Sequence, residues 1–495
     1  MFLGVDIGTG STKGVVVDDA GVVLARAERA HQTSSPRPGW FEHDAVAVWW
    51  QDFTAVVAEL SRRVDLAGVA GLAVSGIGPC LLAADQDGRP LRPAILYGVD
   101  TRATREIAEL TDEFGADQVL AVGGSPLTSQ AVGPKLRWLR RHEPEVWQRT
   151  RRLLMASSYL VHRLTGEYVL DHHSASQCTP LYDLAGTRWH EPALERLAPD
   201  LAAPRLAWPG EVVGTVHAEA ASATGLPVGL PVLAGTIDAW AEATSVGVRE
   251  PGDVMVMYGS TMFLVAMCRH ALRHPRLWGT VGVRPGTYSL AAGMATSGTL
   301  TDWVRTLTGA SYAELLAAAE QVPPGARGLL VLPYFAGERT PLFDPHARGV
   351  IAGLTLHHGR GELYRAVLEA TAFGVRHNLD TMREAGAEPN RLVAVGGGTR
   401  GGLWPRIVSA VLGLPQQVPT ETVGAAYGDA VLAADAAGVD TRGWNATSSV
   451  VEPDPDWQAH YARRYPDYLD LYPRTRDTVH TLAEAQLADE RLSHP

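Results

Sequence analysis

The stretch GVDIGTGSTKG, residues 4–14, follows a short apolar run near the start of the sequence. A run of valines after it predicts a strand, DDAG predicts a turn, and VVLARA predicts the next strand. The glycines of the stretch let a ligand approach the backbone, and the hydroxyls of Thr9, Ser11 and Thr12 add hydrogen-bond donors. The stretch therefore predicts a turn between antiparallel strands that can bind phosphate. An ordinary turn is the alternative, because Gly, Ser and Asp favour turns in any case.

The spacing in this stretch does not match the two commonest nucleotide motifs. The P-loop has a lysine directly after a glycine, whereas Lys13 follows Thr12. The dinucleotide fingerprint places its third glycine at the start of a helix, whereas a predicted strand follows Lys13. A phosphate-binding turn at this position is therefore of a different kind from these two motifs.

A similar pattern returns at DVMVMYGSTMFLVAM, residues 253–267, where a strand again ends in Gly-Ser-Thr and another strand follows. A third glycine cluster, VAVGGGTRGGLW at residues 393–404, closes an apolar strand before a predicted helix from Trp404 to Leu412. The repeated pattern suggests a duplicated fold in which each half offers one turn to a ligand in a shared cleft, and coincidence is the alternative. Together the three glycine-rich turns predict a nucleotide site.

Length and composition limit the class of protein. A chain of 495 residues predicts two or more domains, and alternating strand-like and helical segments predict an α/β architecture. The net charge of −11, without a cluster of Lys and Arg, argues against a nucleic-acid partner. No apolar run reaches the roughly 20 residues needed to cross a bilayer, so no membrane partner is expected. The start shows no signal-peptide pattern and the 3 cysteines form no framework, which together predict a cytoplasmic protein with cysteines buried as fillers.

Local patterns predict several elements along the chain. Three strands are expected between residues 69 and 98, a helix broken at Pro144, a strand from Val232 to Ala234 and a helix from about Ala239. The aromatic segment from Asp440 onward is expected to pack on the second domain. The pair His172 and His173 is not expected to bind metal, because neighbours on a strand point to opposite faces.

The segment GVIAGLTLHHGRGELYRAVLE, residues 349–369, carries a resemblance to a known family. It fills every position of that family's spaced pattern of Gly, apolar, acidic and Ala residues. The chain therefore resembles the FGGY carbohydrate kinases of the actin-like ATPase superfamily, and its motifs are most similar to those of xylulokinase-like members. The resemblance implies an α/β fold of two duplicated ribonuclease-H-like domains around a central cleft. It assigns residues 1–246 to a sugar-side domain and residues 247–495 to a nucleotide-side domain, with ATP and Mg²⁺ as cofactors.

The resemblance also implies roles for single residues. Asp238, in GTIDAWAEA, stands at the position of the catalytic base, and helix capping is the alternative that its residue type leaves open. Asp6 would hold Mg²⁺, with a turn residue as the alternative. The implied ATP-binding residues are Gly8, Thr9, Ser11, Thr12, Lys13, Gly259, Ser260, Gly298, Gly398 and Gly402.

The sugar side is less clearly implied. Xylulokinase-like relatives have Gln-Met-His-Gly here and glycerol kinases have an Arg-Glu pair. This chain has Ile77 to Cys80, so neither xylulose nor glycerol contacts carry over directly. Candidate contacts to the sugar are Trp40, Gly78, Pro79, Asp100, Arg102, Asp238 and Trp240. Packing is an equally open role for Trp40, Asp100, Arg102 and Trp240.

The predicted activity is ATP-dependent phosphorylation of a hydroxyl of a small sugar, with a pentulose such as xylulose first, and another ketose, tetritol or polyol as alternatives. A non-catalytic actin-like ATPase is the alternative from a different class, and the sequence leaves a homodimer open.

Overall fold

The chain folds into two compact units in a computed structural model that describes residues 1–421 and 423–493. Unit 1 consists of Met1–Arg249, Met267–Ser289 and Val423–Ala446. Unit 2 consists of Glu250–Ala266, Leu290–Thr422 and Thr447–Pro495. The first change of unit falls close to the predicted boundary at residue 246, and two later segments return to unit 1.

Strands and helices alternate along the chain. The strands are β1 (Phe2–Ile7), β2 (Ser11–Val17), β3 (Val23–Ala30), β4 (Glu42–His43), β5 (Leu72–Gly76), β6 (Leu82–Ala84), β7 (Ala94–Ile95), β8 (Arg152–Leu154), β9 (Val169–Asp171), β10 (Tyr182–Asp183), β11 (Arg188–Trp189), β12 (Arg205–Ala207), β13 (Val212–Thr215), β14 (Pro231–Leu233), β15 (Thr236–Ile237), β16 (Asp253–Tyr258), β17 (Met262–Cys268), β18 (Trp278–Val281), β19 (Tyr288–Met294), β20 (Leu330–Leu332), β21 (Val350–Ala352), β22 (Arg391–Val395), β23 (Gln416–Pro419) and β24 (Thr447–Val451). The α-helices are α1 (Gln51–Ser61), α2 (Thr104–Phe114), α3 (Ala116–Gly123), α4 (Val132–His142), α5 (Pro144–Arg149), α6 (Ala156–Thr165), α7 (His172–Ser176), α8 (Glu191–Leu197), α9 (Ala218–Thr224), α10 (Asp238–Ser245), α11 (Gly298–Thr308), α12 (Tyr312–Glu320), α13 (Arg360–Glu384), α14 (Leu403–Leu412), α15 (Ala425–Ala436) and α16 (Pro455–Ser493).

Unit 1 is built on a sheet whose strands follow the order β13-β14-β5-β1-β2-β3, with β15 also pairing with β5. The predicted turn joins β1 and β2, which pair antiparallel, while β5 pairs parallel to β1. All residues of β1 are buried, because helices cover both faces of its sheet. Helix α15 lies so close that a Cβ on Gly4 would come 2.0 Å from the Ala426 carbonyl oxygen, which excludes any side chain at Gly4.

Unit 2 repeats the central arrangement of unit 1. Strands β16 and β17 form an antiparallel pair around the second Gly-Ser-Thr turn, and β22 pairs parallel to β16. Strand β23 continues the sheet parallel to β22, and β24 closes it antiparallel. In each unit, the first strand of the hairpin thus also pairs with a parallel strand, which confirms the predicted duplication.

The C-terminal extension divides at residue 446. Residues up to Ala446 belong to unit 1, whereas β24 and α16 belong to unit 2. Tyr461 and Tyr468 of α16 are buried and lie with their ring centres 5.9 and 5.3 Å from that of Phe373 on α13. The predicted packing on the second domain therefore holds from Thr447 onward.

Most of the local predictions are confirmed, and two differ. The strand expected from Val232 to Ala234 is one residue earlier, because Gly235 takes a left-handed φ of 72° with its backbone against Val74. The two histidines expected on a strand lie instead at the start of α7, directly after β9 ends. His172 Nδ1 is 2.8 Å from the Tyr182 hydroxyl, and His173 Nδ1 is 2.8 Å from the Val281 carbonyl oxygen, so they have separate partners.

Candidate active site

Asp6 and Asp238 lie at the same edge of the unit 1 sheet. Asp6 is the penultimate residue of β1, directly beside Ser75 of β5. On the other side of β5, Thr236 is level with Ser75, and Asp238 begins α10 immediately after β15. Because β1, β5 and β15 run parallel, their carboxyl ends bring the two carboxyl groups to one edge.

Among the residues that the structure describes, the Asp238 side chain makes one hydrogen bond, in which its Oδ1 accepts from the Ala239 amide at 2.7 Å. The N-cap of α10 is Ile237, so Asp238 is the first residue of the helix and not its cap. Burial raises the pKa of the Asp238 carboxyl well above its ordinary value, and the negative charge of Asp6 raises it further. A carboxylate with a raised pKa and one oxygen without a donor among the described residues can accept a proton.

Asp6 is a buried carboxyl group. Burial raises its pKa to about 6, while the Ser75 hydroxyl and the positive charge of Lys13 act in the opposite direction. Ser75 Oγ lies 3.2 Å from Asp6 Oδ1 and 2.6 Å from Asp429 Oδ2. The serine therefore bridges a carboxyl of β1 and a carboxyl of α15.

Two acidic residues near this edge were missed by the sequence interpretation, namely Asp429 on α15 and Glu242 on α10. Burial raises the pKa of Glu242 to about 7 and that of Asp429 well above its ordinary value. The negative charge of Asp6 acts in the same direction on both pKa values. The spacing of Glu242, four residues after Asp238 on one helix, was a usable signal, whereas Asp429 is distant in sequence from its Ser75 partner. The mutual repulsion of these carboxyls favours binding of a cation.

The predicted phosphate-binding residues of the opening turn do not share one face. Lys13 and Ser11 point to the same side of β2, where Ser11 Oγ donates to Glu28 at 2.8 Å and Lys13 Nζ lies 3.9 Å from the same carboxylate. Thr12 points to the other side and is fully buried, with no hydrogen-bond partner for its Oγ1 among the described residues. Strand alternation causes this separation. Thr9 is exposed at the tip of the turn.

Gly78 and Pro79 lie beside the strand that leads into Asp238. A Cβ on Gly78 would come 2.7 Å from Ile237, so the backbone of this loop packs directly on the residue before Asp238. Pro79 is buried and Gly78 is half-buried. The loop of Gly78 and Pro79 is therefore placed next to Asp238.

Buried Asp100 and Arg102 form a cluster with the half-buried Trp40. The Arg102 guanidinium donates to both Asp100 oxygens at 2.7–3.0 Å and to Glu42 at 2.8 Å. It also lies 4.2 Å from the ring centre of Trp40. Asp100 Oδ2 accepts in addition from the Phe41 amide at 2.7 Å. The polar groups of Asp100 and Arg102 are thus engaged inside unit 1, which favours the packing role left open for these residues.

Trp240 is buried on α10. Its indole nitrogen donates to Ser289 Oγ at 2.9 Å, and its ring lies 3.9 Å from that of His173. These contacts also favour packing over contact with a sugar.

Unit 2 contains a cavity of about 840 Å³, which is large enough for a nucleotide. Its walls come from the second hairpin turn, the start of α11, helices α12 and α13 and the glycine loop after β22. The lining residues are Tyr258, Gly259, Ser260, Gly298, Thr299, Thr301, Asp302, Tyr312, Ala313, Leu316, Tyr364, Leu368, Gly397, Gly398, Arg400, Gly401 and Trp404.

Close packing requires glycine at two of the predicted positions in this cavity. A Cβ on Gly298 would come 2.5 Å from the Gly259 carbonyl oxygen, and one on Gly398 would come 2.8 Å from the Trp404 ring. Gly259 and Ser260 line the cavity, and the glycine loop contributes Gly398 and Gly401 but not Gly402.

The cavity also has polar and aromatic walls that the sequence interpretation missed. Arg400 lies within the glycine-rich motif itself, so its charge was a usable signal. Tyr312 and Tyr364 lie on helices that are distant in sequence from the glycine motifs, and the tertiary structure brings them together.

The described residues include no group of three or more His, Cys, Asp or Glu side chains arranged to hold a metal ion. Mg²⁺ commonly takes one or two carboxylates and completes its shell with phosphate oxygens and water, so Asp6 with its acidic neighbours fits that ion. No described helix has the length and apolar character needed to span a membrane.

A nucleotide-sized cavity in one unit and a half-buried carboxyl with a raised pKa in the other are features of a phosphotransferase. Comparison with known proteins identifies the class. Residues 1–245 match the N-terminal domain of the FGGY family of carbohydrate kinases, and residues 254–437 match its C-terminal domain. The chain belongs to this family and is a carbohydrate kinase.

Named relatives and solved structures agree with this family. The chain is 33% identical to xylulose kinase of Escherichia coli (strain K12) over 484 residues, covering 94% of this chain and 96% of the relative. It is 31% identical to glycerol kinase of Nocardia farcinica (strain IFM 10152) over 477 residues, covering 90% and 91%. The structure of xylulose kinase from Rhodospirillum rubrum superposes with a TM-score of 0.90 at 36% identity, covering 97% and 99%.

Proposed function

We propose that this chain transfers the γ-phosphoryl group of ATP to a hydroxyl of a pentulose such as xylulose, with Asp238 as the general base. The observation that carries the proposal is the Asp238 carboxyl itself. It follows a buried strand, has one oxygen without a donor among the described residues, and has a raised pKa caused by burial and by the charge of Asp6. A sugar hydroxyl is a weak nucleophile, so a carboxylate that takes its proton assists the transfer.

The sugar would lie against the loop that contains Gly78 and Pro79, because this loop packs beside Asp238. With Asp100 and Arg102 engaged in their own cluster, backbone groups of the loop become the main candidates for contacts to the sugar. The names of the relatives support xylulose, and a glycerol kinase at 31% identity supports a small polyol as the second candidate.

The nucleotide would occupy the unit 2 cavity, with Gly259, Ser260, Gly298 and Gly398 allowing the close approach of its groups to the backbone. In the opening turn, Lys13 and the exposed Thr9 would contact a phosphate group. Mg²⁺, held through Asp6, would neutralise charge on the phosphates. Ser11 and Lys13 would then leave Glu28 and bind phosphate oxygens instead. Breaking their contacts to Glu28 costs little free energy, because these contacts are exposed to solvent.

A coupled assay of ADP release tests the proposed substrate class, with xylulose, other ketoses, tetritols and glycerol each added at saturating ATP and Mg²⁺. The expected result is the highest kcat/KM for a pentulose. A higher kcat/KM for glycerol or a tetritol would replace the pentulose, and an ATP turnover that no sugar or polyol stimulates would refute the proposal. The cytoplasmic location and a homodimer stay predictions.

A further inference from the structure

Three successive carbonyl oxygens at the tip of the opening turn are held by one neighbouring segment, residues 31–33. The Gly8 carbonyl oxygen lies 3.1 Å from His31 Nε2. The Thr9 carbonyl accepts from Thr33 Oγ1 at 3.0 Å, and the Gly10 carbonyl accepts from the His31 amide at 3.0 Å. All three oxygens therefore face the same side of the turn.

The direction of these carbonyls determines the direction of the amides. In a trans peptide the N–H of one residue points opposite to the carbonyl of the residue before it. The amides of Thr9 and Gly10 accordingly point away from segment 31–33, and neither donates to an acceptor in the described residues. Successive free amides on one side of a turn form a concave site for an anion.

A chain of hydrogen bonds leads from Thr33 into the core of unit 1. Trp49 Nε1 lies 3.1 Å from His43 Nδ1, and His43 Nε2 lies 3.0 Å from Thr33 Oγ1. The indole N–H can only donate, so His43 Nδ1 accepts. Burial lowers the pKa of His43 to about 4, so the neutral ring carries its proton on Nε2 and donates it to Thr33. The single Thr33 proton is then directed to the Thr9 carbonyl.

A second set of contacts fixes His31. A carbonyl can only accept, so His31 Nε2 donates to Gly8. His31 Nδ1 lies 2.8 Å from Asp52 Oδ2, and Arg29 Nε binds the other oxygen of Asp52 at 2.7 Å. The His31 ring is 6% exposed and Asp52 is 3% exposed, so this pair is shielded from water. The imidazole is thereby held in one orientation.

We propose that His31, Thr33 and His43 are positioning residues that keep the carbonyls of the opening turn on one side, so that the amides of Thr9 and Gly10 bind a phosphate group of ATP. This inference rests on the proposed function of the turn. Donors that already point at the ligand need no reorganisation when it binds, which is the advantage of such a network.

The test is nucleotide binding to the full chain by calorimetry, with ATP and adenosine as separate probes. Thr33→Val removes the hydroxyl at nearly constant shape, and Thr33→Ser restores it. Thr54→Val is the matched control, because that hydroxyl donates within α1, to the Gln51 carbonyl. Thr33→Val should weaken ATP binding on the order of tenfold, from the loss of one oriented hydrogen bond.

Adenosine separates a positioning role from a general structural one, since it lacks phosphate. Its affinity should be equal in the wild type and in Thr33→Val, Thr33→Ser should bind ATP like the wild type, and Thr54→Val should change neither affinity. Equal ATP affinity in Thr33→Val and the wild type would overturn the inference, as would a parallel loss of adenosine binding. A wild type that binds no ATP would refute the proposed function itself.

A second pair of variants keeps the inference testable if Thr33→Val does not fold. His43→Gln retains one acceptor for Trp49 and one donor for Thr33, whereas His43→Leu retains neither. ATP affinity should be near the wild-type value in His43→Gln and about tenfold weaker in His43→Leu. Equal affinity in the two variants would overturn the role of His43.

Discussion

Replacing Asp238 by Asn tests the proposed base directly. Asn has nearly the same shape, and its Oδ1 can still accept the hydrogen bond that the Ala239 amide donates to Asp238. It cannot take a proton at neutral pH. A general base contributes about 10²- to 10⁴-fold to the rate, so sugar-dependent kcat should fall by at least about 10²-fold, or about 3 kcal/mol of transition-state stabilisation.

The same substitution should not destabilise the fold at neutral pH. Because the pKa of Asp238 is raised in the folded state, the folded chain binds a proton there more tightly than the unfolded chain. Ionised Asp238 therefore opposes folding, and its cost grows as the pH rises above the ordinary carboxyl value near 4. Asp238→Asn should melt at or above the wild-type temperature at pH 8, and the difference should shrink as the pH falls.

The assays are steady-state kinetics on the preferred sugar, calorimetry with ATP and a thermal melt at several pH values. Asp112→Asn is the control, since Asp112 is exposed on α2. Wild-type turnover in Asp238→Asn would refute the base. A lower melting temperature at pH 8 with retained turnover would show that Asp238 has a structural role.

Three further predictions concern other residues. Lys13→Ala should weaken ATP binding about tenfold by calorimetry and leave the melting temperature unchanged, because its surface ion pair contributes at most about 1 kcal/mol; an unchanged ATP affinity would contradict it. Gly398→Ala should lower the free energy of unfolding by about 1–3 kcal/mol in chemical denaturation, since its Cβ would come 2.8 Å from Trp404. A Cβ at Gly397 has nothing within 4 Å, so Gly397→Ala should be tolerated, and an equal loss of stability in the two variants would contradict the prediction. Burial lowers the pKa of Lys135 in the folded chain to about 8, from its ordinary value of 10.5. Between these two pH values Lys135 is protonated in the unfolded chain and largely neutral in the folded chain, so wild-type stability should rise with pH in that window. Lys135→Met should abolish this rise and add up to about 3 kcal/mol of stability at pH 7; a rise that persists in the variant would contradict the assignment.

The order of strands and turns in both hairpins could be predicted from the sequence. Apolar runs interrupted by Gly-rich turns determine local structure within a few residues. The residues of β1, β2, β16 and β17 are therefore sufficient to predict these strands. The same holds for the position of Asp238 at the start of a helix, because a buried strand and a helical pattern meet there. These are features in which each residue depends mainly on its neighbours in the chain.

Side-chain direction and distant partners could not be predicted in this way. Thr12 was grouped with Ser11 and Lys13, and only the register of β2 shows that it faces the buried side. Asp100 and Arg102 had the residue types of a sugar site, but the fold engages them with each other and with Glu42.

The raised pKa of Asp238 likewise depends on the tertiary structure. It results from burial and from the charge of Asp6, which acts on Asp238 because β1 and β15 flank the same strand, β5. The sequence by itself determined the elements and the residue types of the site. The tertiary structure decided which of those polar groups remain free to act, because burial and hydrogen bonding depend on residues that are far apart in the chain.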